Sequence, residues 1–118
     1  MIVYGIKNCN TVKKATDWLN KHNQNFEFHD YKSKGITSAQ LKEWSKQVGW
    51  VSLVNKRGTT WRQLGETVQS KITTEKSAIA LMIEKTSVIK RPLLEKNGKV
   101  ISLGFDESNY AKIFGVNL

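Results

Sequence analysis

Cys9 is the only cysteine in the chain, and its position is the strongest chemical signal in the sequence. It follows an apolar run, Ile2 to Ile6, and comes directly before an amphipathic segment that Asn10 and Thr11 open. Backbone N–H groups at the start of a helix carry partial positive charge and stabilise a thiolate. A free cysteine is usually a small buried hydrophobic residue, but such a residue would fall more naturally inside the strand or on the apolar stripe of the helix. The placement of Cys9 therefore favours a reactive thiol.

Positive charge near Cys9 supports this interpretation, because Lys7, Lys13 and Lys14 are close to it in sequence and cations stabilise S⁻. Over the whole chain, 19 lysines and arginines stand against 10 acidic residues, a net charge of +9. Such a field attracts anions, for example phosphate, glutathione carboxylates or nucleic acid. Lysines scattered along helices are, however, typical of a solvated face. The chain has no zinc-finger signature and no basic, aromatic strand pattern, so we expect no direct nucleic-acid binding.

The length of 118 residues fits one domain, residues 1–118, with its own core, and we expect a monomer. No run approaches the roughly 18 apolar residues of a transmembrane helix, and the N-terminal segment lacks the features of a signal peptide. We therefore expect a cytoplasmic protein that does not bind membranes. One cysteine excludes an internal disulfide, and the two histidines lie far from it in sequence, so we expect neither a metal site nor a bound cofactor.

The elements that would position Cys9 follow from hydrophobic periodicity. Ile2 to Ile6 suits a central strand, and the next segment carries apolar residues at helical spacing. Phe26 to Tyr31 alternates in polarity, as does a strand that returns parallel to the first. These three segments predict a βαβ unit with Cys9 in its first loop.

A helical middle is predicted next. Thr37 and Gln40 form a capping-box pattern, and Gly49 ends the helix that they open. Two later helices are indicated by apolar residues at helical spacing, which are Trp61, Leu64 and Val68 in one and Ile79, Met82 and Ile83 in the other.

The C-terminal part predicts a hairpin and a closing helix. Asn97-Gly98, a strong hairpin signal, separates Leu93 to Glu95 from Val100 to Leu103. Asp106 is expected to cap the last helix. Pro92, the only proline, stands directly before the first strand of the hairpin, where the missing N–H donor is tolerated.

A βαβ half and a ββα half, with a cysteine after the first strand and a proline before the third, resemble the thioredoxin fold. The resemblance implies that Pro92 is cis and packs beside the active-site cysteine, which would bring Arg91 next to Cys9. An arginine there would depress the pKa of the thiol and offer paired N–H donors to an oxyanion or a carboxylate.

Three separated motifs carry a more specific resemblance: Gly5 to Ala15, Arg57 to Trp61, and Ile89 to Leu93 followed by Gly104-Phe105. They resemble the arsenate-reductase-related (ArsC) family, in particular its small YffB-like branch, which neighbours the Spx/MgsR-type transcriptional regulators. The resemblance implies an α/β fold, a thioredoxin/glutaredoxin-like mixed βαβ–ββα sheet with an all-helical insertion from about residue 37 to about residue 89. It also implies that Cys9 is the redox thiol and that Arg91 and Pro92 are its neighbours.

This chain differs from the arsenate reductases of the family at residues that would bind arsenate. The resemblance implies that an arsenate reductase presents three arginines to arsenate, and only Arg91 matches here. One of the others falls on Asn55, with Arg57 two residues away, and the third falls near Leu103. Losing two charge-assisted hydrogen bonds of about 1.5–3 kcal/mol each would weaken oxyanion binding by orders of magnitude. We therefore do not expect efficient arsenate reduction.

The regulators differ at another position. Many of them resemble one another in carrying a second cysteine where this chain has Val12, so an intramolecular disulfide switch cannot form here. A regulator that docks on RNA polymerase remains the alternative function, and Cys9 need not react in it.

The resemblance leads to the hypothesis of a glutathione-dependent monothiol oxidoreductase. Cys9 would attack a disulfide or a glutathionylated substrate, and glutathione or a thiol-bearing protein would resolve the mixed disulfide. Glutathione is thus the expected co-substrate.

The expected glutathione-binding residues follow from the same hypothesis. Arg91, Arg57 and Lys13 would hold the carboxylates of glutathione. The backbone beside Pro92 would pair with the tripeptide, and Asn10, a helix-cap residue, is also expected to contact glutathione.

Overall fold

The computed structural model of the protein describes residues Met1–Leu118. Its elements are β1 (Ile2–Gly5), α1 (Asn10–Lys21), β2 (Glu27–Asp30), α2 (Tyr31–Lys34), α3 (Ser38–Val48), α4 (Trp50–Leu53), α5 (Thr59–Gln63), α6 (Gly65–Gln69), α7 (Glu75–Glu84), a 3₁₀ turn (Thr86–Val88), β3 (Leu93–Lys96), β4 (Lys99–Leu103) and α8 (Glu107–Phe114). The chain forms two compact units, one from residues 1–31 and 91–118 and the other from residues 32–90. None of the helices has the length and hydropathy needed to cross a membrane.

The first unit is built on a four-stranded mixed sheet with the strand order β2-β1-β3-β4. β1 and β2 are parallel, because α1 carries the chain back across the sheet, and β3 is antiparallel to both β1 and β4. Asn97 and Gly98 turn the hairpin with φ angles of 52° and 79°, which suits the tight turn of a hairpin. The predicted thioredoxin/glutaredoxin-like βαβ–ββα arrangement is confirmed.

One face of this sheet carries the core of the first unit. Val3 of β1 and Leu94 of β3 are buried against Ala15 and Leu19 of α1 and Tyr110 of α8. Side chains alternate between the two faces of a strand, whereas those of a helix recur every three to four residues. The sequence pattern therefore directs the apolar residues of all four elements to one layer.

The second unit, residues 32–90, is helical apart from an isolated β-bridge between Val54 and Ile89. The Thr37 hydroxyl accepts the N–H of Gln40 at 3.2 Å and so caps α3 as predicted, and Gly49, with φ of 82°, ends that helix. α7 begins with a reciprocal pair of capping hydrogen bonds, and the two residues that form it are Thr74 and Ser77.

The predicted continuous buried stripe from Trp61 to Val68 is wrong. Gly65 adopts φ of 80° and interrupts the helix, so the segment forms the two short helices α5 and α6. A new helical axis changes which residues face inward, and Val68 is 40% exposed. Ile83 is also outside the buried stripe of α7, with 43% of its surface exposed.

Candidate functional site

The loop between β1 and α1 places Cys9 at the start of the helix. β1 ends at Gly5, one residue earlier than predicted, and Asn8 adopts φ of 63°, a left-handed conformation that asparagine tolerates better than most residues. The chain then enters α1 with Cys9, not Asn10, at the N-cap position, and the N–H of Lys13 donates to the Cys9 carbonyl at 2.9 Å. The prediction of Asn10 as the capping residue is therefore wrong, because the turn at Asn8 moves the cap one residue earlier.

The Cys9 thiol is half-buried, and its pKa is lowered. Burial alone raises the pKa, since it penalises the charged form. The N–H groups of Val12 and Thr11 and the Arg91 guanidinium together outweigh this effect. These groups donate hydrogen bonds to the sulfur or place positive charge beside it, and both effects favour the thiolate.

Arg91 reaches Cys9 because of the strand order. It comes two residues before β3, and β3 lies beside β1, with Tyr4 opposite Leu93. The guanidinium hydrogen-bonds to the Cys9 sulfur and also lowers the pKa of the thiol through its charge. The Arg91–Pro92 peptide bond is cis, Pro92 is buried, and its carbonyl accepts the N–H of Gly104 at 2.8 Å.

A buried aromatic and carboxylate cluster lies on the opposite face of the sheet from α1. The Tyr4 hydroxyl donates to Glu95 Oε1 at 3.3 Å, and its ring lies 4.7 Å from that of His29 and 6.1 Å from that of Tyr31. Burial, together with the Glu95 carboxylate, raises the pKa of Tyr4 to about 12. Burial also raises the pKa of Tyr31, and the charge of Arg91 opposes that rise. Both phenols are therefore neutral at physiological pH, and the cluster extends to the guanidinium that faces Cys9.

A groove of about 670 Å³ begins at Cys9 and follows α1 toward the N-terminal end of β2. Its apolar lining comes from Ile6, Val12, Phe26 and Phe28, and its polar lining includes Lys7, Lys13, Thr16 and three asparagines. α1 packs closely against the sheet at Gly5. A Cβ atom at this position would lie 3.0 Å from Val12 Cγ2 and 3.4 Å from Phe28 Cε1, so a larger residue would crowd both side chains. Gly5 is the one sequence signal of this close packing.

The predicted site residues occupy different parts of the molecule. Asn10 and Lys13 line the groove, and Lys13 also forms an exposed ion pair with Asp17 at 2.8 Å. Arg57 belongs to the second unit, where it is exposed in the loop before α5 and its N–H donates to Asn55 Oδ1 at 3.2 Å. The roles of Lys13, Asn10 and Arg57 in binding glutathione stay predictions.

Two features of the site are not predictable from the sequence: the apolar part of the groove and the Tyr4–Glu95 pair. Phe28 of β2 and Phe26, the residue before β2, both pack against the core. The alternation of apolar and polar residues in this segment indicates burial, not a binding site. Tyr4 and Glu95 come together only through the pairing of β1 with β3. The structure contains no group of three histidine, cysteine, aspartate or glutamate side chains that could hold a metal ion.

Comparison with known proteins gives consistent matches over nearly the whole chain. The sequence model of the ArsC family matches residues 4–113. An uncharacterized protein of Haemophilus influenzae is 44% identical over 112 residues, which cover 95% of this chain and 96% of that protein. The structure of the YFFB (PA3664) protein has a TM-score of 0.87 and 42% identity, over 95% of this chain and 96% of that one. An arsenate reductase (ArsC) related protein from Brucella melitensis has a TM-score of 0.78 and 43% identity, over 98% and 94% of the two chains.

Proposed function

The chain belongs to the ArsC family, and we propose that it is a monothiol oxidoreductase. In this proposal, Cys9 exchanges with disulfide or glutathionylated substrates, and glutathione supplies the second thiol. Its family membership relates the chain to arsenate reductases and to thiol oxidoreductases of this fold.

One observation carries the proposal. The Cys9 sulfur lies at the N-terminus of α1 and within hydrogen-bonding reach of the Arg91 guanidinium, and its pKa is lowered although the thiol is half-buried. The thiolate is the nucleophile in thiol–disulfide exchange, so a lowered pKa raises the reactive fraction at neutral pH. A cysteine that served only packing would have a raised pKa, because nothing would oppose the cost of burying its charge.

The chain contains no second cysteine, so the thiol that resolves the mixed disulfide must come from another molecule. Cys9–S⁻ attacks the glutathione sulfur of GS–SR, which forms Cys9–S–SG and releases RS⁻. A second glutathione thiolate then attacks Cys9–S–SG, which forms GS–SG and regenerates Cys9–S⁻. Each step exchanges one S–S bond for another, and no electrons are lost or gained overall.

Glutathione fits the charges around the sulfur. It carries two carboxylates and one ammonium group, and Arg91 can hold a carboxylate by two parallel hydrogen bonds. Lys13 and Arg57 are the further cations that we assign to the glutathione carboxylates, and Asn10 and the backbone at Pro92 would contact the tripeptide.

Turnover of a glutathione mixed disulfide tests the proposal. Glutathione–2-mercaptoethanol disulfide, glutathione, glutathione reductase and NADPH report each cycle as a loss of NADPH absorbance. The wild-type protein should accelerate the reaction, and Cys9→Ser should abolish that acceleration. Arg57→Gln should raise the KM for glutathione, whereas Arg62→Gln, an exposed arginine of the same unit, should not.

Two outcomes would contradict the proposal. Wild-type protein that gives no rate above the uncatalysed one would show that Cys9 does not exchange, and the regulator that docks on RNA polymerase would become the better explanation. A Cys9→Ser protein with wild-type turnover would show that another group reacts.

A further inference from the structure

We propose that the groove beside Cys9 binds the thiol that leaves the substrate disulfide, and that this thiol has an apolar body with an anionic group. The inference rests on the proposed thiol exchange and names the substrate class of the same site. The groove of about 670 Å³ has the size of a typical small-molecule site, and Cys9 is one of its lining residues.

The apolar part of the groove defines the body of the ligand. Phe26 and Phe28 are half-buried: each packs against the core of the first unit and also lines the groove. Ile6, also half-buried, and Val12 continue this surface toward the thiol. An aromatic or branched hydrocarbon group that binds here would cover the exposed parts of the two phenylalanines, and removing this apolar surface from water favours binding.

The charged part of the groove defines the sign of the ligand. Its lining contains two lysines, Lys7 and Lys13, and no acidic side chain. Lys13 is held by Asp17, which lies outside the groove, whereas no ion pair engages Lys7. Asn8, Asn10 and Asn20 add neutral amides. The lysines and the apolar residues of the groove together favour a thiol that has a hydrocarbon group and a carboxylate, and they disfavour a cationic thiol.

The groove and Arg91 flank the sulfur as two separate regions. Arg91 and Pro92 do not line the groove, although Arg91 bonds to the same sulfur. Exchange requires room for two sulfur substituents, since Cys9–S⁻ + GS–SR gives Cys9–S–SG + RS⁻. We assign glutathione to the Arg91 region, which Lys13 and Asn10 border at the Cys9 end of the groove. The departing RS⁻, which then takes a proton from water, is assigned to the rest of the groove, beside Lys7, Phe26 and Phe28.

A series of four glutathione mixed disulfides tests this assignment with the wild-type protein. The second thiols are 4-(mercaptomethyl)benzoate, 4-methylbenzyl mercaptan, 3-mercaptopropionate and 2-mercaptoethanol, all of them alkyl thiols. We expect kcat/KM to be highest for the aromatic carboxylate, roughly tenfold or more above the 2-mercaptoethanol compound, with the other two between. Equal values across the series would overturn the inference and leave the proposed exchange in place.

Two pairs of variants locate the effect in the groove. Thr16→Phe places a ring in the groove, so the ratio of kcat/KM for the aromatic carboxylate to kcat/KM for the 2-mercaptoethanol compound should fall close to one. Lys21→Phe changes a residue of the same helix outside the groove and should leave this ratio unchanged. Lys7→Gln should remove the advantage of the carboxylate over the methyl compound, and Lys21→Gln should not. A preference that survives Thr16→Phe would show that the selective contacts lie elsewhere and would overturn the assignment.

A binding measurement separates this inference from the exchange reaction. In Cys9→Ser protein, the unreactive thioether 4-(methylthiomethyl)benzoate should shift the amide resonances of Thr16, Phe26 and Phe28 in NMR spectra, and S-methylglutathione should not. Shifts of these amides by S-methylglutathione alone would assign the groove to glutathione and overturn the inference. Shifts by the benzoate in a protein whose wild type turns over none of the four disulfides would overturn the exchange step instead.

Discussion

The guanidinium of Arg91 hydrogen-bonds to the sulfur of Cys9, although one residue precedes β3 and the other precedes α1. The pairing of β1 with β3 produces this contact, because it puts the start of β3 beside the end of β1. The backbone N–H of Val12 is the first cause that lowers the pKa of Cys9, and Arg91 is the one side chain that lowers it, by a hydrogen bond and by its charge. Arg91 is therefore the side chain on which the reactivity of Cys9 should depend most.

The pH dependence of Cys9 alkylation tests this dependence. The rate with iodoacetamide should rise with a midpoint below the ordinary thiol value of about 8.5, and Arg91→Gln should raise that midpoint by roughly one pH unit. Lys99→Gln removes an exposed cation on β4 and should leave the midpoint unchanged. A midpoint that Arg91→Gln does not move would contradict the placement of its charge beside the sulfur.

The stability of the protein should also report the lowered pKa of Cys9. The unfolded chain binds this proton up to about pH 8.5, whereas the folded protein releases it at lower pH. The thiolate therefore stabilises the fold fully above pH 8.5, and this contribution is lost as pH falls through the folded pKa. Urea unfolding of wild type and Cys9→Ser across pH should show a difference that grows with pH in that window. A difference that falls with pH would mean that the folded pKa is raised.

Loss of the buried hydrogen bond from Tyr4 to the Glu95 carboxylate should destabilise the protein more than loss of a hydrogen bond between two uncharged groups. Tyr4→Phe removes a donor to a buried carboxylate and should lower the free energy of unfolding by about 1.5–3 kcal/mol. Tyr110→Phe is the matched control, because its hydroxyl donates to the neutral carbonyl of Gly104 at 3.1 Å, and it should cost about 0.5–1.5 kcal/mol. Urea denaturation measures both. A greater loss for Tyr110→Phe would contradict the buried-carboxylate account.

Arsenate should be a poor substrate. Asn55 stands where the family resemblance places one arginine, and the chain has no arginine after Arg91, so two of three expected oxyanion partners are missing. With glutathione and glutaredoxin present, arsenate reduction should be at least about a hundredfold slower than turnover of a glutathione mixed disulfide. The NADPH-coupled assay compares both. Faster arsenate turnover would show that Arg57 or the lysines replace the missing arginines.

Much of the fold was predictable because its signals are local. Alternation in Phe26 to Tyr31, the Thr37 cap and the Asn97-Gly98 turn each act within a few residues, and β2, α3 and the β3–β4 hairpin form where these signals lie. The exposure of Val68 was not predictable from spacing, since it depends on the turn of the backbone at Gly65.

The candidate site was predictable only in part. The position of Cys9 before a helix predicted its lowered pKa, and the fold resemblance predicted that Arg91 lies next to it. The groove depends on how closely α1 packs against the sheet at Gly5, and the Tyr4–Glu95 hydrogen bond joins two strands that are distant in the sequence. Such contacts are set by tertiary packing, which single-residue patterns do not encode.

The intact mass of the protein after treatment with oxidised glutathione tests the central claim most directly. We predict one glutathione adduct, on Cys9, which persists until external thiol is added, because the chain has no second cysteine to expel it. Val12→Cys, which puts a second thiol one helical turn away, should lose the adduct by closing an internal disulfide. Wild-type protein that forms no adduct and accumulates a disulfide-linked dimer would contradict the account, since Cys9 would then be a surface thiol without a glutathione site.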